Sequence, residues 1–332
     1  MSESAIRKTE HEIVISALPP AVFRLLVDVG NWPTVFPPTV HVEHLERGDT
    51  EERFRIWATA NGKARGWTSR RELDHDELRI RFRQEAPAHP VAAMGGEWIV
   101  EELAGGRSRV RLRHDFRAVE DTPEAIAWIH QAVDRNSETE LCALRTAAER
   151  GEGDQRLFTF TDTILVDGAA ADSYEFLYRA KEWEQRLAHV DRVSVDEEIP
   201  NLQLLEMDTR AADGSTHTTV SVRVCFPEHL IVYKQLRTPA LLSLHTGQWT
   251  IRSDGDATVV TAQHTVAIAS EAVAGVLGEQ ATVEDAREFV RSTLSCNSLV
   301  TLDAAKTYAQ RHCVNRQVTE RAPSRAKTAP LA

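Results

Sequence analysis

The chain has 332 residues, enough for about two domains at roughly 150 residues each, and its 42% apolar and 27% charged make-up is that of a folded globular protein. Against 39 basic residues stand 50 acidic ones, and the net charge of -11 excludes nucleic acid as the main ligand, because phosphate binding needs a basic surface. The longest apolar runs, such as Leu230 to Tyr233, fall far short of the ~20 residues that cross a bilayer, and Met1 to Glu10 has no apolar signal core; the expected setting is cytoplasmic, away from membrane.

From Ile13 the sequence reads as a strand, a Pro-Pro turn, an amphipathic helix from Ala21 to Val29 and a stop at Asn31-Trp32-Pro33. Strands follow by their alternation. Leu78, Ile80 and Phe82 interleave with three arginines, and Val110, Leu112, His114 and Phe116 interleave with Arg109, Arg111 and Arg113. A long helix starts at Thr122, with Pro123 in its first position, and runs to about Ala148. Past the charged, Gly-containing stretch Glu149 to Gln155 the order begins again: a strand to Val166, a small-residue turn, a helix with Tyr174, Phe176 and Leu177, and Trp183. The last helix starts at Thr282, with Asp285 three residues on as a capping-box partner.

The restart is an internal repeat. Trp32 and Trp183 stand 151 apart, as do the Trp98 and Trp249 of Gly-x-Trp; Ser69-x-Arg71 and Ser221-x-Arg223 stand 152 apart, and His114 and His264 stand 150 apart. Asn136-Ser137 is matched by Asn297-Ser298. The expected organisation is one domain over 1–150, a second over 156–312, and a disordered tail over 313–332. Strand, short helix, antiparallel strands and one long C-terminal helix make the fold class α+β, two tandem helix-grip (START-like) domains. In each, a curved antiparallel sheet wraps around the long helix and encloses a cavity suited to a bulky apolar ligand.

The period of two puts Trp67, Ser69 and Arg71 on one strand face, and the tryptophan favours the inside. Arg71 then points inward, where it needs an anionic ligand, a developing oxyanion or a buried carboxylate partner. Trp32, Phe36, Phe54, Trp57, Trp67, Phe82 and Trp98 are the candidate apolar walls, with core filling as the alternative for each. Ser69, His114 and Asn136 add sparse polar groups. Trp67 becomes Thr219 in the second half and Trp57 falls near Met207, so the main cavity is expected in the first domain, with a degenerate or scaffolding one in the second. Cys142, Cys225, Cys296 and Cys313 show no metal spacing, and His41-x-x-His44 reads as a solvated pair. No metal and no cofactor are expected.

Pro20-Ala21-Val22-Phe23, Asp28-Val29-Gly30-Asn31-Trp32-Pro33, Gly66-Trp67-Thr68-Ser69-Arg70-Arg71 and Gly95-Gly96-Glu97-Trp98 together resemble the didomain aromatase/cyclases of bacterial type II polyketide synthases, over roughly Ala5 to Arg311. The resemblance implies a cytoplasmic enzyme of antibiotic biosynthesis. It would take a poly-β-ketone from an acyl carrier protein, beside other synthase components, close the first ring between carbons 7 and 12 of a chain reduced at carbon 9, and dehydrate it to an aromatic ring. On chemical grounds, Arg71 is the candidate oxyanion donor, Ser69 a carbonyl or water ligand, His114 the proton carrier and Asn136 a carbonyl-orienting group. Arg79, Arg81 and Arg83, or Arg107, Arg109, Arg111 and Arg113, are the candidate carrier-docking patches. A non-catalytic lipid or hydrophobic-ligand binder, and a structural partner with collapsed cavities, are the other readings.

Overall fold

The computed structural model describes residues 5–321, apart from 61–62, 152, 211–213, 215 and 256. The chain divides into two compact units between Leu157 and Phe158.

In the first unit, β1 (Arg7–Ile15), α1 (Pro19–Val27) and α2 (Trp32–Val35) precede six further strands. These are β2 (Thr39–Arg47), β3 (Glu51–Ala60), β4 (Lys63–Asp74), β5 (Arg79–Gln84), β6 (Val91–Leu103) and β7 (Arg107–Ala118), followed by α3 (Pro123–Arg150). The strands form one antiparallel sheet in the order β1-β7-β6-β5-β4-β3-β2. The second unit repeats this with β8 (Leu157–Val166), α4 (Ala170–Tyr178), α5 (Trp183–Arg186), β9 (Val190–Ile199), β10 (Leu202–Arg210), β11 (Thr216–Phe226), β12 (Leu230–Arg237), β13 (Leu242–Asp254) and β14 (Ala257–Ile268). After them come α6 (Ser270–Leu277) and α7 (Val283–Arg321); the second sheet runs β8-β14-β13-β12-β11-β10-β9.

Local chemistry sets the element ends. Thr122 caps α3 by accepting the Ala125 N–H at 3.2 Å. Thr282 and Asp285 bond reciprocally, Thr282 N–H to Asp285 Oδ2 at 2.8 Å and Asp285 N–H to Thr282 Oγ1 at 3.2 Å. Chain geometry also departs from the sequence reading in places. Helix α1 begins at Pro19 and ends at Val27, after which a 3-10 turn leads into α2, so Trp32 opens a short helix where a stop was expected. Leu78 sits at φ 47 in the turn before β5, outside the alternating strand. Helix α7 runs to Arg321, which takes 313–321 of the expected tail into helical backbone; 322–332 lie outside the described residues.

The inward sheet face packs on α3, which lies along β1 and β7 and against α1. Val133, Ser137, Leu141 and Leu144 form its buried stripe. Trp32 and Trp183 do the same job in their domains. Trp32 Nε1 donates to Leu25 O at 3.2 Å and Trp183 Nε1 to Phe176 O at 3.1 Å, tying each short helix back to the one before it. The residues the halves share therefore include groups that serve the fold.

Candidate active site

Arg71 is 2% exposed and faces inward as the alternation requires. Its partners are structural. Nε donates to Glu52 Oε2 at 2.8 Å, NH1 donates to Leu26 O at 2.7 Å, and NH2 donates to Val27 O; the guanidinium lies 5.5 Å from the Trp32 ring and 5.4 Å from that of Phe54. The carboxylate and two carbonyls at the end of α1 take three of the five guanidinium N–H donors and pin α1 to the sheet. In the second domain Arg223 replaces the ion pair by a neutral partner, donating from NH1 to Gln203 Oε1 at 2.9 Å and from NH2 to Leu177 O at 2.5 Å.

The aromatic candidates separate into three groups. Phe36, Phe54 and Trp98 are buried in core clusters with edge-to-face or tilted contacts to one another or to Trp32. Trp67 and Phe82 keep partial exposure on the inward face, opposite Ile56 and Gly96. Trp57 is a correction. Being three residues from Phe54 it takes the opposite face of β3, where it packs beside His41 with ring centroids 5.5 Å apart and lies over Gly66. His41 is accordingly half-buried, and His44 Nε2 lies 3.6 Å from Glu52 Oε2, so neither is simply solvated.

Between the apolar clusters at the two ends of α3, the first domain's interior turns polar. Phe82 packs edge-on to His114 at 5.5 Å, and the position opposite both is Gly96, where a Cβ would come within 2.8 Å of the Phe82 ring. His114 Nδ1 lies 3.4 Å from Ser137 Oγ. Burial, reinforced by His11, pushes this imidazole down to about 4, so at neutral pH it is an uncharged proton acceptor and donor. Ser69 donates its hydroxyl to Arg83 O at 3.2 Å. Asn136 is exposed, and Ser137, one residue on, takes the inward position. Glu140 follows one turn later beside the buried stripe, and burial pushes its carboxyl up to about 7. Sequence reasoning missed Glu52, Ser137 and Glu140. The last two were available from the helical phase of Val133, Leu141 and Leu144.

The second domain also encloses a cavity, of about 130 Å³, lined by Trp183, Leu205, Tyr233, His245, Trp249 and His264 among others, with Asn297, Ser298 and Thr301 from α7. Tyr233 was not a candidate, yet it occupies the place of Phe82, opposite an arginine and a glycine in the same register.

The outward arginines do not form a basic patch. Arg79 and Arg81 face Glu97, Arg83 pairs with Asp115 at 2.9 Å, Arg109 with Glu12 at 3.8 Å, and Arg111 and Arg113 with Glu10. Arg107 donates to Ala104 O. A groove of about 770 Å³ is lined by several of these paired charges together with Phe82, Gly96 and His114. No described helix is long and apolar enough to cross a membrane.

Residues 7–149 match the family model described as polyketide cyclase / dehydrase and lipid transport. The chain is 46% identical over 308 residues to the granaticin polyketide synthase bifunctional cyclase/dehydratase of Streptomyces violaceoruber, covering 92% of this chain and 95% of that one. It is 44% identical to the actinorhodin polyketide synthase bifunctional cyclase/dehydratase of Streptomyces coelicolor, over 93% of this chain and 99% of that one. Among solved structures it resembles the di-domain ARO/CYC BexL from the BE-7585A biosynthetic pathway, with TM-score 0.85, 51% identity and coverage of 91% and 98%. The di-domain ARO/CYC StfQ from the steffimycin pathway matches with TM-score 0.81, 37% identity and coverage of 92% and 99%.

Proposed function

Because the chain belongs to the bifunctional cyclase/dehydratases of type II polyketide synthases, we propose that its first domain closes the first ring of a carrier-protein-bound poly-β-ketone between carbons 7 and 12. The chain it takes is already reduced at carbon 9. The enzyme works in the cytoplasm beside the carrier protein and the other synthase components, and uses no cofactor.

The observation that carries the reading is the polar layer of the first domain, in which His114 meets Ser137 between two apolar clusters, with Glu140 one turn beyond Ser137 on the same helix. Odd-numbered carbons of a poly-β-ketone bear oxygen, so a bond from carbon 12 to carbon 7 joins a methylene nucleophile to a carbonyl carbon. Neutral His114 is suited to remove the proton from that methylene, with its ring held by Ser137. Glu140, titrating near neutrality, donates to the carbon-7 oxygen as negative charge develops there. Trp67 and Phe82 supply flat walls that hold the chain in one folded conformer, which makes the closure effectively intramolecular. Arg71 keeps α1 in place, and Ser69 fixes the edge of the same layer through Arg83 O.

The test is reconstitution with a minimal synthase, a ketoreductase and the carrier protein. Addition of the protein should move the product to the carbon 7 to carbon 12 pattern, and His114→Ala should return it to the spontaneous mixture while the fold persists by circular dichroism. A product pattern that is the same with and without the protein, or with His114→Ala, overturns the proposal and favours a hydrophobic-ligand carrier.

A further inference from the structure

Tyr233, His245 and His264 meet in the interior of the second domain. Tyr233 Oη lies 2.8 Å from His264 Nδ1 and 3.2 Å from His245 Nε2, and the two nitrogens are 3.1 Å apart. Gly247 stands opposite Tyr233, where a Cβ would fall 2.6 Å from the phenol oxygen, so the ring can lie against the backbone only because that position is glycine. Burial pushes both imidazoles far down, His245 to about 3 and His264 to about 4, and raises the phenol, so all three groups are neutral at pH 7.

The surroundings of this trio are unusually short of partners. Among the described residues, five buried polar atoms with no hydrogen-bond partner belong to side chains that line this one cavity: His245 Nδ1, His264 Nε2, Ser298 Oγ, Gln235 Oε1 and Arg223 Nε. Buried polar groups in folded proteins are paired, and each orphan calls for a water, an ion or a ligand. Here donors and acceptors are mixed, since Arg223 Nε only donates, Gln235 Oε1 only accepts, and serine and histidine do either. That mixture suits neither a simple anion nor a simple cation. Trp183 and Trp249 add flat walls, and the volume of about 130 Å³ is near the roughly 150 Å³ that holds a benzene-sized molecule.

We infer that the second domain holds its own binding and catalytic site for a single oxygenated six-membered ring, a cyclic β-hydroxy ketone, from which Tyr233, His245 and His264 remove water as a neutral proton relay. The ring class rests on the function proposed above; the existence of the site does not. With one ring proton on each imidazole, His245 Nε2–H donates to Tyr233 Oη and Tyr233 O–H donates to His264 Nδ1. His245 Nδ1 is then a bare acceptor and His264 Nε2–H a donor. Elimination takes the proton α to the ketone onto His245 Nδ1. His245 Nε2–H passes to the phenol oxygen, the phenol proton passes to His264 Nδ1, and the Nε2 proton of His264 leaves on the β-hydroxyl as the C–O bond breaks. The products are the enone and one water. The trio ends neutral in its other tautomer, and the reverse transfer through water resets it. The first domain has no such relay, because Phe82 and Met94 stand where Tyr233 and His245 do.

Two measurements on the full chain test this. In the reconstituted synthase, Tyr233→Phe, which copies the first domain's residue and preserves packing, and His264→Gln should lower the ratio of aromatised to hydroxylated ring-closed product at least 10-fold while total ring-closed product stays unchanged. An unchanged ratio in both folded variants overturns the relay, and so does a loss of ring closure. Independently, isothermal titration with 2,4-dihydroxyacetophenone should show binding to the full chain that Tyr233→Phe and His264→Gln weaken at least 10-fold and His114→Ala leaves intact. Absent binding, or equal binding by all variants, overturns the site. If the wild-type protein directs no ring closure at all, the function proposed for the first domain fails, and the titration still decides whether the second site exists.

Discussion

At four matched positions the first domain carries Phe82, Met94, His114 and Glu140, and the second carries Tyr233, His245, His264 and Thr301. One histidine is common to both. In the first domain it is bonded from the helix side, by Ser137, with an ionisable carboxyl one turn away. In the second it is bonded within the sheet, by a phenol and another imidazole, and the helix contributes only neutral groups. The same frame therefore presents a layer able to change charge near neutral pH and a layer that stays neutral but can exchange tautomers. A similar substitution of neutral for charged occurs at the buried arginines, where Glu52 faces Arg71 and Gln203 faces Arg223.

The arginines give the largest expected contrast. Arg71→Ala would strand the Glu52 carboxylate in a site where it is 5% exposed, a loss of about 3–5 kcal/mol for the first domain. Arg223→Ala leaves a neutral amide behind and should cost its domain about half as much. Calorimetry of the full chain, with the two transitions assigned through the variants, measures both. Equal losses would mean that shared packing against the tryptophans, and not the ion pair, is what each arginine supplies.

Glu140→Gln sharpens the contrast between the layers. It should slow ring closure about 100-fold, the size expected of a general acid, and remove the fall in activity expected of the wild type as pH rises through 7. The stability effect has a definite sign. The folded carboxyl titrates near 7 and an unfolded one near 4.5, so the native state binds the extra proton between those values and loses stability as pH rises across the window. The glutamine variant should lack that loss and be more stable than wild type at pH 8 by about 1–2 kcal/mol. At pH 4 the two should be alike. A wild-type pH profile shared by Glu140→Gln would remove this carboxyl from the mechanism.

Trp67 and Trp57 offer a comparison within one domain. Trp67→Ala opens the inward wall and should reduce the share of correctly closed product about 10-fold. Trp57→Phe, on the opposite sheet face, should leave product distribution unchanged at a stability cost below about 1.5 kcal/mol. An effect of Trp57→Phe on product position would contradict the face assignment.

These faces show what the sequence could disclose. Alternation correctly grouped Trp67, Ser69 and Arg71, because a strand has only two sides. The same rule separates Phe54 from Trp57, three residues apart on one strand, although the aromatic character of each favours the inside. The repeat and its two domains were legible from tryptophans and glycines whose roles are structural, such as the ties made by Trp32 and Trp183. The partner of Arg71 was not legible, since the pairing of Glu52 with Arg71 depends on the register of β3 with β4. The polar lining of the second cavity is hidden for a different reason: Tyr233 and His245 come from separate strands and have the apolar counterparts Phe82 and Met94 in the first half, so the repeat does not mark them.

The smallest predicted effect concerns neighbours on α3. Asn136 and Ser137 recur together as Asn297 and Ser298, and on sequence alone either can be the inward group. A helix turns about 100° per residue, so only one of two neighbours can share the stripe of Val133, Leu141 and Leu144, and that one is Ser137. Its hydroxyl at 3.4 Å from His114 Nδ1 is at the long end of hydrogen bonding and is worth about 1 kcal/mol. Ser137→Ala should therefore lower ring closure about fivefold by loosening the imidazole, and Asn136→Ala, in solvent, should leave rate and product unchanged. Rates measured side by side in the reconstituted synthase decide it, and the opposite order would put the helix in another rotation about its axis and with it move Glu140 off the layer.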